Sequence, residues 1–240
     1  MIVPGCLLET RNWPLETVSM TWIKICGMTN LEDALVAVEA GADAVGFVFY
    51  EKSPRYVSVE TAREIVAKLP ERVDKIGVFV NEVPERISAI TNQAGLTAVQ
   101  FHGDEWKSPQ GYAVNRDAFF CLPMLEMVRD PSTAIHSLRN IESFPNLVGF
   151  LLDSGTAEKR GGTGKVFPWG NALSLSSLKA LQRIVIAGGL TPSNVGQAVE
   201  YLEPFGVDVV SGVEARPGKK DPEKIRAFVK AVREMDAKAS

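Results

Sequence analysis

The pattern that decides the fold lies in residues 22–49, WIKICGMTNLEDALVAVEAGADAVGFVF. Trp22–Cys26 is a short apolar run, and Ala44–Phe49 is a second run, rich in valine and phenylalanine. Between them, Leu31–Ala40 has the spacing of an amphipathic helix and is followed by a glycine. Near-continuous apolar runs are typical of parallel strands that are covered on both faces. The stretch therefore predicts a strand, a helix and a second, parallel strand.

The same alternation continues through the rest of the chain. Six further β-rich runs are predicted, at Lys75–Val80, Ala98–Phe101, Ala118–Leu122, Val148–Leu152, Ile184–Ala187 and Val207–Val210. Further amphipathic stretches are Val59–Leu69, Pro84–Ala94, Ser193–Leu202 and Pro222–Met235, while 103–116, where another helix is expected, has a poor pattern. Eight strand–helix units are the number that closes a parallel sheet into a barrel.

We therefore predict an α/β protein with a single-domain (β/α)8 TIM barrel over residues 21–240. A doubly wound open sheet is the alternative, but its glycine fingerprint follows the first strand, whereas the glycine clusters here come late. Residues 1–20 are interpreted as an N-terminal extension outside the fold, disordered or not translated. The region before Met20 shows no clear periodicity, and Met20 is an equally good start codon.

Several helix boundaries have their own signals. Thr29 and Glu32 have the spacing of a capping box, in which the two side chains bind the free backbone N–H groups of the first turn. Thr191 followed by Pro192 predicts a second helix start. Gly41 and Gly95 fall where helices are expected to stop.

Composition excludes several classes of protein. The 240 residues include 26 basic and 29 acidic side chains, and this net charge of −3 lacks the basic excess of a nucleic-acid binder. The longest apolar run, Ala44–Tyr50, is far shorter than a membrane helix, and no signal peptide is evident. Three widely spaced cysteines and two histidines argue against a disulfide framework, a zinc site and a multi-histidine metal centre. We expect a cytoplasmic protein.

Glycines at predicted strand ends indicate a phosphate site. Gly188-Gly189 follows the seventh run, Ser211-Gly212 follows the eighth, and Gly162-Thr163-Gly164 follows the sixth. Glycine lets backbone N–H groups approach an anion closely, and the loops after strands seven and eight form the usual phosphate site of this fold. The alternative is that these glycines only form tight turns. We expect a phosphate-binding rim at strands six to eight.

Two strand-end side chains are candidates for proton transfer. Cys26 ends the first strand, and its thiolate could act as base or nucleophile, unless it is an inert buried thiol. Asp153 directly follows the sixth run, either as a helix-facing cap or as an inward-pointing acid or base. A base on one side of a bound substrate and an acid on the other would suit proton transfer from and to a sugar.

Other charged side chains near the strand ends allow less specific predictions. The guanidinium of Arg55 has the forked geometry that suits a substrate carboxylate. Arg55 could equally be a solvated loop arginine. His102 at the end of strand four is more often a structural histidine than a site residue. If Cys26 points inward, then so does Lys24, which needs a partner. We hypothesise that this partner is Asp208 on strand eight.

At these residues the chain resembles the phosphoribosylanthranilate isomerase family. One such motif would be weak, but eight in order, each at a strand end, are highly specific. The matching segments are Lys24-Ile25-Cys26-Gly27-Met28-Thr29, Gly46-Phe47-Val48-Phe49 with Ser53-Pro54-Arg55-Tyr56, Gly77-Val78-Phe79-Val80-Asn81, Gln100-Phe101-His102-Gly103, Leu152-Asp153-Ser154, Gly161-Gly162-Thr163-Gly164, Ala187-Gly188-Gly189-Leu190 and Ser211-Gly212-Val213-Glu214.

The resemblance implies an Amadori rearrangement of N-(5-phosphoribosyl)anthranilate to 1-(2-carboxyphenylamino)-1-deoxyribulose 5-phosphate. It implies that Cys26 is the general base, that Asp153 is the general acid, and that Arg55 meets the anthranilate carboxylate. The phosphate falls to Gly162, Gly164, Gly188, Gly189, Ser211 and Gly212. The resemblance implies no cofactor and no metal, and a monomer or a homodimer.

Two rival functions are left open. A sibling phosphosugar isomerase of the histidine pathway carries out a similar rearrangement. The barrel that it resembles, however, has aspartate at the position of Cys26. A non-catalytic phosphosugar-binding barrel would keep the glycine loops and would need neither Cys26 nor Asp153. A turnover assay separates catalysis from binding alone.

Overall fold

The protein is described by a computed structural model over residues 20–105, 112, 116–123, 144, 146–153 and 183–239. Eight parallel strands pair in chain order and close into one barrel, which confirms the predicted fold class. Each strand agrees with its predicted bounds to within one residue at either end. The strands are β1 (Trp22–Cys26), β2 (Ala44–Val48), β3 (Asp74–Phe79), β4 (Ala98–Phe101), β5 (Asp117–Pro123), β6 (Leu147–Asp153), β7 (Ile184–Ile186) and β8 (Gly206–Val209).

Within the described residues, helices follow strands β1, β2, β3, β7 and β8. A short 3-10 turn (Ser211–Val213) and a hairpin of β9 (Glu214–Arg216) and β10 (Lys219–Lys220) follow β8. Within the described ranges, no helix is both long enough and apolar enough to cross a membrane. The α-helices described are α1 (Leu31–Ala40), α2 (Val59–Val66), α3 (Pro84–Ala94), α4 (Val195–Leu202) and α5 (Pro222–Ala239).

The two predicted helix starts are wrong in detail. The N-cap of α1 is Asn30, whose Oδ1 accepts the Asp33 N–H at 2.9 Å, whereas the Thr29 hydroxyl donates to the Gly218 carbonyl at 2.5 Å. Threonine and asparagine both cap helices well, so residue type alone does not predict which of these two neighbours is the N-cap. Near Thr191, the chain first forms a turn in which the Thr191 N–H donates to Asn194 Oδ1, and α4 begins only afterwards.

The two predicted glycine stops are confirmed. Gly41 and Gly95 have left-handed backbone angles, with φ of 101° and 71°, and follow the last residues of α1 and α3. Their N–H groups bond back to helix carbonyls, which satisfies groups that the helix end would otherwise leave unpaired.

Side chains alternate along each strand between two separate apolar clusters. The larger cluster contains Ile23 and Ile25 of β1 together with helix residues such as Phe228, and so it lies between sheet and helices. The smaller cluster lies inside the barrel and contains Trp22 and Phe119. These two rings stack at 5.6 Å at the amino-terminal end of the strands, which leaves the carboxyl ends for a cavity.

The barrel closes where β1 meets β8. The strands pair in register from Trp22 opposite Gly206 to Ile25 opposite Val209. Helix α5 holds the outside of this seam, because Asp236 accepts hydrogen bonds from the backbone N–H and the hydroxyl of Thr21. Closure sets the first and last strands side by side, with their inward residues facing each other.

Candidate active site

A cavity of about 520 Å³ opens at the carboxyl ends of the strands. Its volume falls in the range of small-molecule sites, roughly 300–1,000 Å³. Of the predicted site residues, Gly162 and Gly164 lie outside the described part of the chain, and Gly212 follows a lining residue without lining the cavity itself. The predicted residues that line it are Cys26, Arg55, Asp153, Gly188, Gly189 and Ser211.

Cys26 occupies the last position of β1 and is buried against the neighbouring strand. Gly46 lies opposite it in the β1–β2 pairing, and a Cβ on Gly46 would come within 2.5 Å of Cys26 Sγ. After Cys26, Gly27 adopts a φ of 84°, and its N–H donates to the Gly46 carbonyl. The glycine on β2 is thus what makes room for the thiol, a role that no local sequence pattern indicates.

The buried pair hypothesised from strand alternation is confirmed. Lys24 Nζ lies 2.9 Å from Asp208 Oδ1 and 2.8 Å from Gln100 Oε1, and all three residues are buried. Burial raises the pKa of the Cys26 thiol above its ordinary value, and the charges of Lys24 and Lys220 offset part of that rise. The thiol form is therefore favoured, and the two lysines are what promote the thiolate.

Asp153, at the end of β6, belongs to a group of inward side chains on β4, β5 and β6 and the loop after β4. His102 Nε2 lies 3.9 Å from Asp153 Oδ2 and 3.9 Å from Cys121 Sγ. The nearest ligand atoms of these three residues all lie within 4.8 Å of one another, a spacing at which a metal ion could be held. His102 Nδ1 lies 3.1 Å from Gln100 Nε2.

Arg55 lines the cavity, but its guanidinium is already bound to a protein carboxylate. Its Nε and Nη2 donate to Glu214 Oε1 and Oε2 at 2.8 and 2.7 Å. Lys220, also buried, donates to Glu214 Oε1 at 3.3 Å and to the Val210 carbonyl at 2.9 Å. Burial opposes ionisation of Glu214, yet these partners, Arg55 first, hold its pKa below the ordinary value.

Glu214 and Lys220 were missed as functional residues in the sequence. Glu214 ends a segment that suggested phosphate binding, and no local pattern connects it with Arg55. Gln100 was missed too, although it stands two residues before His102, where strand alternation points both inward. That alternation was the available signal.

The hairpin that carries Glu214 and Lys220 is anchored on α1 by the buried Asp33. Its carboxylate accepts Lys219 Nζ at 2.7 Å and the Lys220 N–H at 2.8 Å. Asn30 Nδ2 donates to it as well, at 2.8 Å. Burial opposes ionisation, but these hydrogen bonds outweigh it and lower the pKa of Asp33. These contacts to Asp33 fix the position of the hairpin and of Glu214, and so the orientation of Arg55.

The predicted phosphate rim is described on its β7 and β8 sides. Gly188 and Gly189 both have left-handed backbone angles, with φ of 82° and 68°. Asn194 Nδ2 donates to the Gly189 carbonyl at 3.0 Å and so holds this turn in place. A Cβ on Gly212 would overlap the Leu190 carbonyl oxygen, so the two loops can approach this closely only with glycine there.

Comparisons with known proteins agree on one family. The sequence model of the N-(5'phosphoribosyl)anthranilate (PRA) isomerase family matches residues 23–231. An N-(5'-phosphoribosyl)anthranilate isomerase from Rubrobacter xylanophilus is 46% identical over 214 residues, which cover 89% of this chain and 100% of that protein.

Two solved structures show the same similarity. One is a phosphoribosyl anthranilate isomerase in complex with reduced 1-(o-carboxyphenylamino)-1-deoxyribulose 5-phosphate. It has a TM-score of 0.73 and 42% identity, and the match covers 90% of this chain and 100% of that one. The other shows mutually generated monomers of the dimeric isomerase from Thermotoga maritima. It has a TM-score of 0.73 and 41% identity, with the same two coverages.

Proposed function

The chain belongs to the N-(5'-phosphoribosyl)anthranilate isomerase family, and from this we propose that Cys26 is the general base and Asp153 the general acid of its reaction. The protein is an isomerase of tryptophan biosynthesis built on a (β/α)8 barrel. The observation that supports the assignment is a single cavity lined by a thiol from β1 and a carboxylate from β6. Strands β7 and β8 separate these two, so a sugar fits between them.

The first proposed step is ring opening. Protonated Asp153 gives its proton to the furanose ring oxygen, and the bond from that oxygen to C1 breaks. The nitrogen lone pair forms the C1–N double bond, so the product is an open-chain iminium with a new hydroxyl at C4. Asp153 is left as a carboxylate.

The second proposed step is proton removal at C2. The thiolate of Cys26 takes the C2 proton, and the electron pair moves towards the iminium nitrogen to give an enolamine. The enolamine then tautomerises, so that the C2 hydroxyl becomes the ketone and C1 gains a proton. Only the thiolate is a base, so the fraction of base-competent enzyme increases with pH. Burial raises the pKa of Cys26 and so moves this increase to higher pH.

Substrate recognition is proposed for the remaining lining residues. Arg55 binds the anthranilate carboxylate, while Glu214 holds its Nε and Nη2 and so points the guanidinium into the cavity. Gly188, Gly189 and Ser211 receive the phosphate, supported by the left-handed turn after β7. We propose that Gly162, Gly164 and Gly212 complete this rim.

Turnover of phosphoribosylanthranilate tests the assignment. The substrate is generated in place from anthranilate and phosphoribosyl pyrophosphate by a separate transferase, and the loss of its fluorescence is followed. We expect Cys26→Ala and Asp153→Asn each to lose at least ~100-fold in kcat, as is typical when a general acid or base is removed. Cys6→Ala, outside the family match of residues 23–231, is the matched cysteine control and should keep full activity. A Cys26→Ala enzyme with wild-type kcat contradicts the proposal.

Two further proposals concern the assembly and the cellular location of the protein. The isomerase from Thermotoga maritima, to which this chain is similar, is dimeric. We propose a monomer or a homodimer for this chain. Light scattering on the purified protein distinguishes these two from larger assemblies. The described cysteines Cys26 and Cys121 are free thiols, in keeping with a proposed cytoplasmic location that cell fractionation tests.

A further inference from the structure

A chain of polar side chains crosses the barrel interior, and three of its members, Gln100, His102 and Asp208, line the cavity. It runs from Asp208 through Lys24 and Gln100 to His102, with contacts of 2.9, 2.8 and 3.1 Å. His102 then faces Asp153, with Nε2 at 3.9 Å from Oδ2. The chain therefore connects the lysine beside the proposed base with the side chain of the proposed acid.

The direction of each hydrogen bond in this chain is determined by its first donor. A lysine ammonium can only donate, so the oxygen of the Gln100 amide faces Lys24. The amide NH2 group is then the one that faces His102 Nδ1, and an NH2 group can only donate. His102 Nδ1 must therefore accept, and the ring proton of the neutral imidazole is on Nε2.

We propose that His102 is a positioning residue held by Gln100 as the Nε2–H tautomer, which donates towards Asp153 Oδ2 and leaves Oδ1 to hold the proton for the substrate. The distance of 3.9 Å is longer than a hydrogen bond, and contacts between catalytic groups commonly shorten when substrate binds. This inference rests on the proposed role of Asp153 as general acid. It adds the group that selects which carboxyl oxygen is the acidic one.

The same hydrogen-bond directions argue against a metal ion in the cluster of His102, Cys121 and Asp153. To bind a metal through Nε2, the imidazole would need its proton on Nδ1. That proton would point at the Gln100 NH2 group, whose orientation Lys24 determines. Two donors would then face each other.

Nitrogen-15 NMR of the histidine rings tests the tautomer without any measurement of activity. The chain has two histidines, so His136→Gln leaves the signals of His102 alone. We expect a protonated Nε2 and an unprotonated Nδ1 at neutral pH. Gln100→Glu puts an acceptor opposite Nδ1, and the ring proton should then move to Nδ1. A ring protonated at Nδ1 in the otherwise wild-type chain overturns the inference.

A pair of substitutions tests the consequence for catalysis. His102→Gln keeps an N–H donor near the position of Nε2, whereas His102→Asn keeps only the group near Nδ1. We expect His102→Asn to lower kcat by ~10–100-fold with little change in KM, because a misaligned catalytic group costs about that much. His102→Gln should recover most of the loss. Equal kcat values in both variants overturn the positioning role.

Failure of the premise can be told apart from failure of the inference. If Asp153→Asn keeps wild-type kcat, Asp153 is not the general acid and the catalytic part of the proposal falls with it. The NMR result decides the tautomer separately. Circular dichroism of each variant shows whether a loss of activity comes from unfolding.

Discussion

Lys24 Nζ lies 2.9 Å from Asp208 Oδ1 inside the barrel, two residues before Cys26 on the same strand. The pair has opposite effects on the thiol, because the charge of Lys24 lowers the pKa of Cys26 and the charge of Asp208 raises it. Of the two charges, that of Lys24 has the larger effect on the pKa of Cys26. This arrangement allows the basicity of Cys26 to be changed in either direction by substitutions that leave the thiol in place.

Asp208→Asn should lower the pKa of Cys26. Asparagine still offers an oxygen to Lys24 but removes the negative charge that opposes the thiolate. A lower pKa means more thiolate at pH 7, so iodoacetamide should alkylate Cys26 faster, and the rise of activity with pH should begin at lower pH. Mass spectrometry of the peptide containing Cys26 measures the rate. Lys24→Gln should give the opposite change, and equal alkylation rates in all three proteins would contradict this explanation.

Glu214→Gln should weaken substrate binding more than turnover. Glutamine cannot offer two charged oxygens to Arg55, so the guanidinium loses its fixed orientation, and we expect KM to rise roughly tenfold with a smaller change in kcat. Lys220 loses its buried counter-charge at the same time, with a stability loss of about 1–3 kcal/mol. Steady-state kinetics and urea unfolding measure the two effects. Arg55→Lys is the partner test, and an unchanged KM in both variants rules out the proposed carboxylate site.

Asp33→Asn should destabilise the protein in a pH-dependent way. The folded pKa of Asp33 is below its ordinary value, so the stabilisation is full above the unfolded pKa and is lost as the pH falls through the folded one. We expect a loss of about 1–3 kcal/mol at pH 7 that shrinks in strong acid. Urea unfolding at both pH values measures it.

Glu32→Gln is the matched control for this prediction. Glu32 also contacts Lys219 Nζ, at 2.9 Å, but its side chain is 76% exposed. Exposed ion pairs contribute about 0–1 kcal/mol, so this variant should stay close to the wild type at every pH. A loss as large as that of Asp33→Asn would mean that the buried hydrogen bonds are not what matters.

Gly212→Ala should impair phosphate binding. The added Cβ would overlap the Leu190 carbonyl oxygen, so the loops after β7 and β8 must move apart. We expect affinity for inorganic phosphate, measured by calorimetry, to fall about tenfold or more, as when a binding group moves by ~1 Å. Gly196→Ala in α4 is the control, since its Cβ would meet Met235 at an ordinary 3.6 Å. That helix substitution should stabilise the protein by about 0.5–1 kcal/mol.

The strands and the Lys24–Asp208 pair were predictable because both follow from period-two alternation in a closed sheet. Once eight strands are recognised, β1 must lie beside β8, and inward residues at equal height then face each other. The register pairs Lys24 directly with Asp208. No knowledge of side-chain geometry was needed.

Contacts between distant loops were not predictable in the same way. Arg55 and Glu214 are 159 residues apart, and neither lies within a barrel strand, so no register places them together. The choice of Asn30 over Thr29 as a helix cap depends on a hydrogen bond from Thr29 to a hairpin at the other end of the chain. The orientation of Gln100 depends on Lys24, 76 residues earlier. Each of these needs the folded backbone before it can be deduced.

The seam between β1 and β8 determines the order in which the barrel can be completed during synthesis. Thr21 and Asp236, which meet outside the seam, are separated by 215 positions, so the contact forms only when nearly all of the chain has been made. Until β8 is made, β1 keeps an unpaired edge that can recruit other chains, and until α5 is made the closed seam lacks its outer contact. Nascent chains are therefore exposed to aggregation until α5 emerges from the ribosome, and a chain truncated before α5 should accumulate in inclusion bodies.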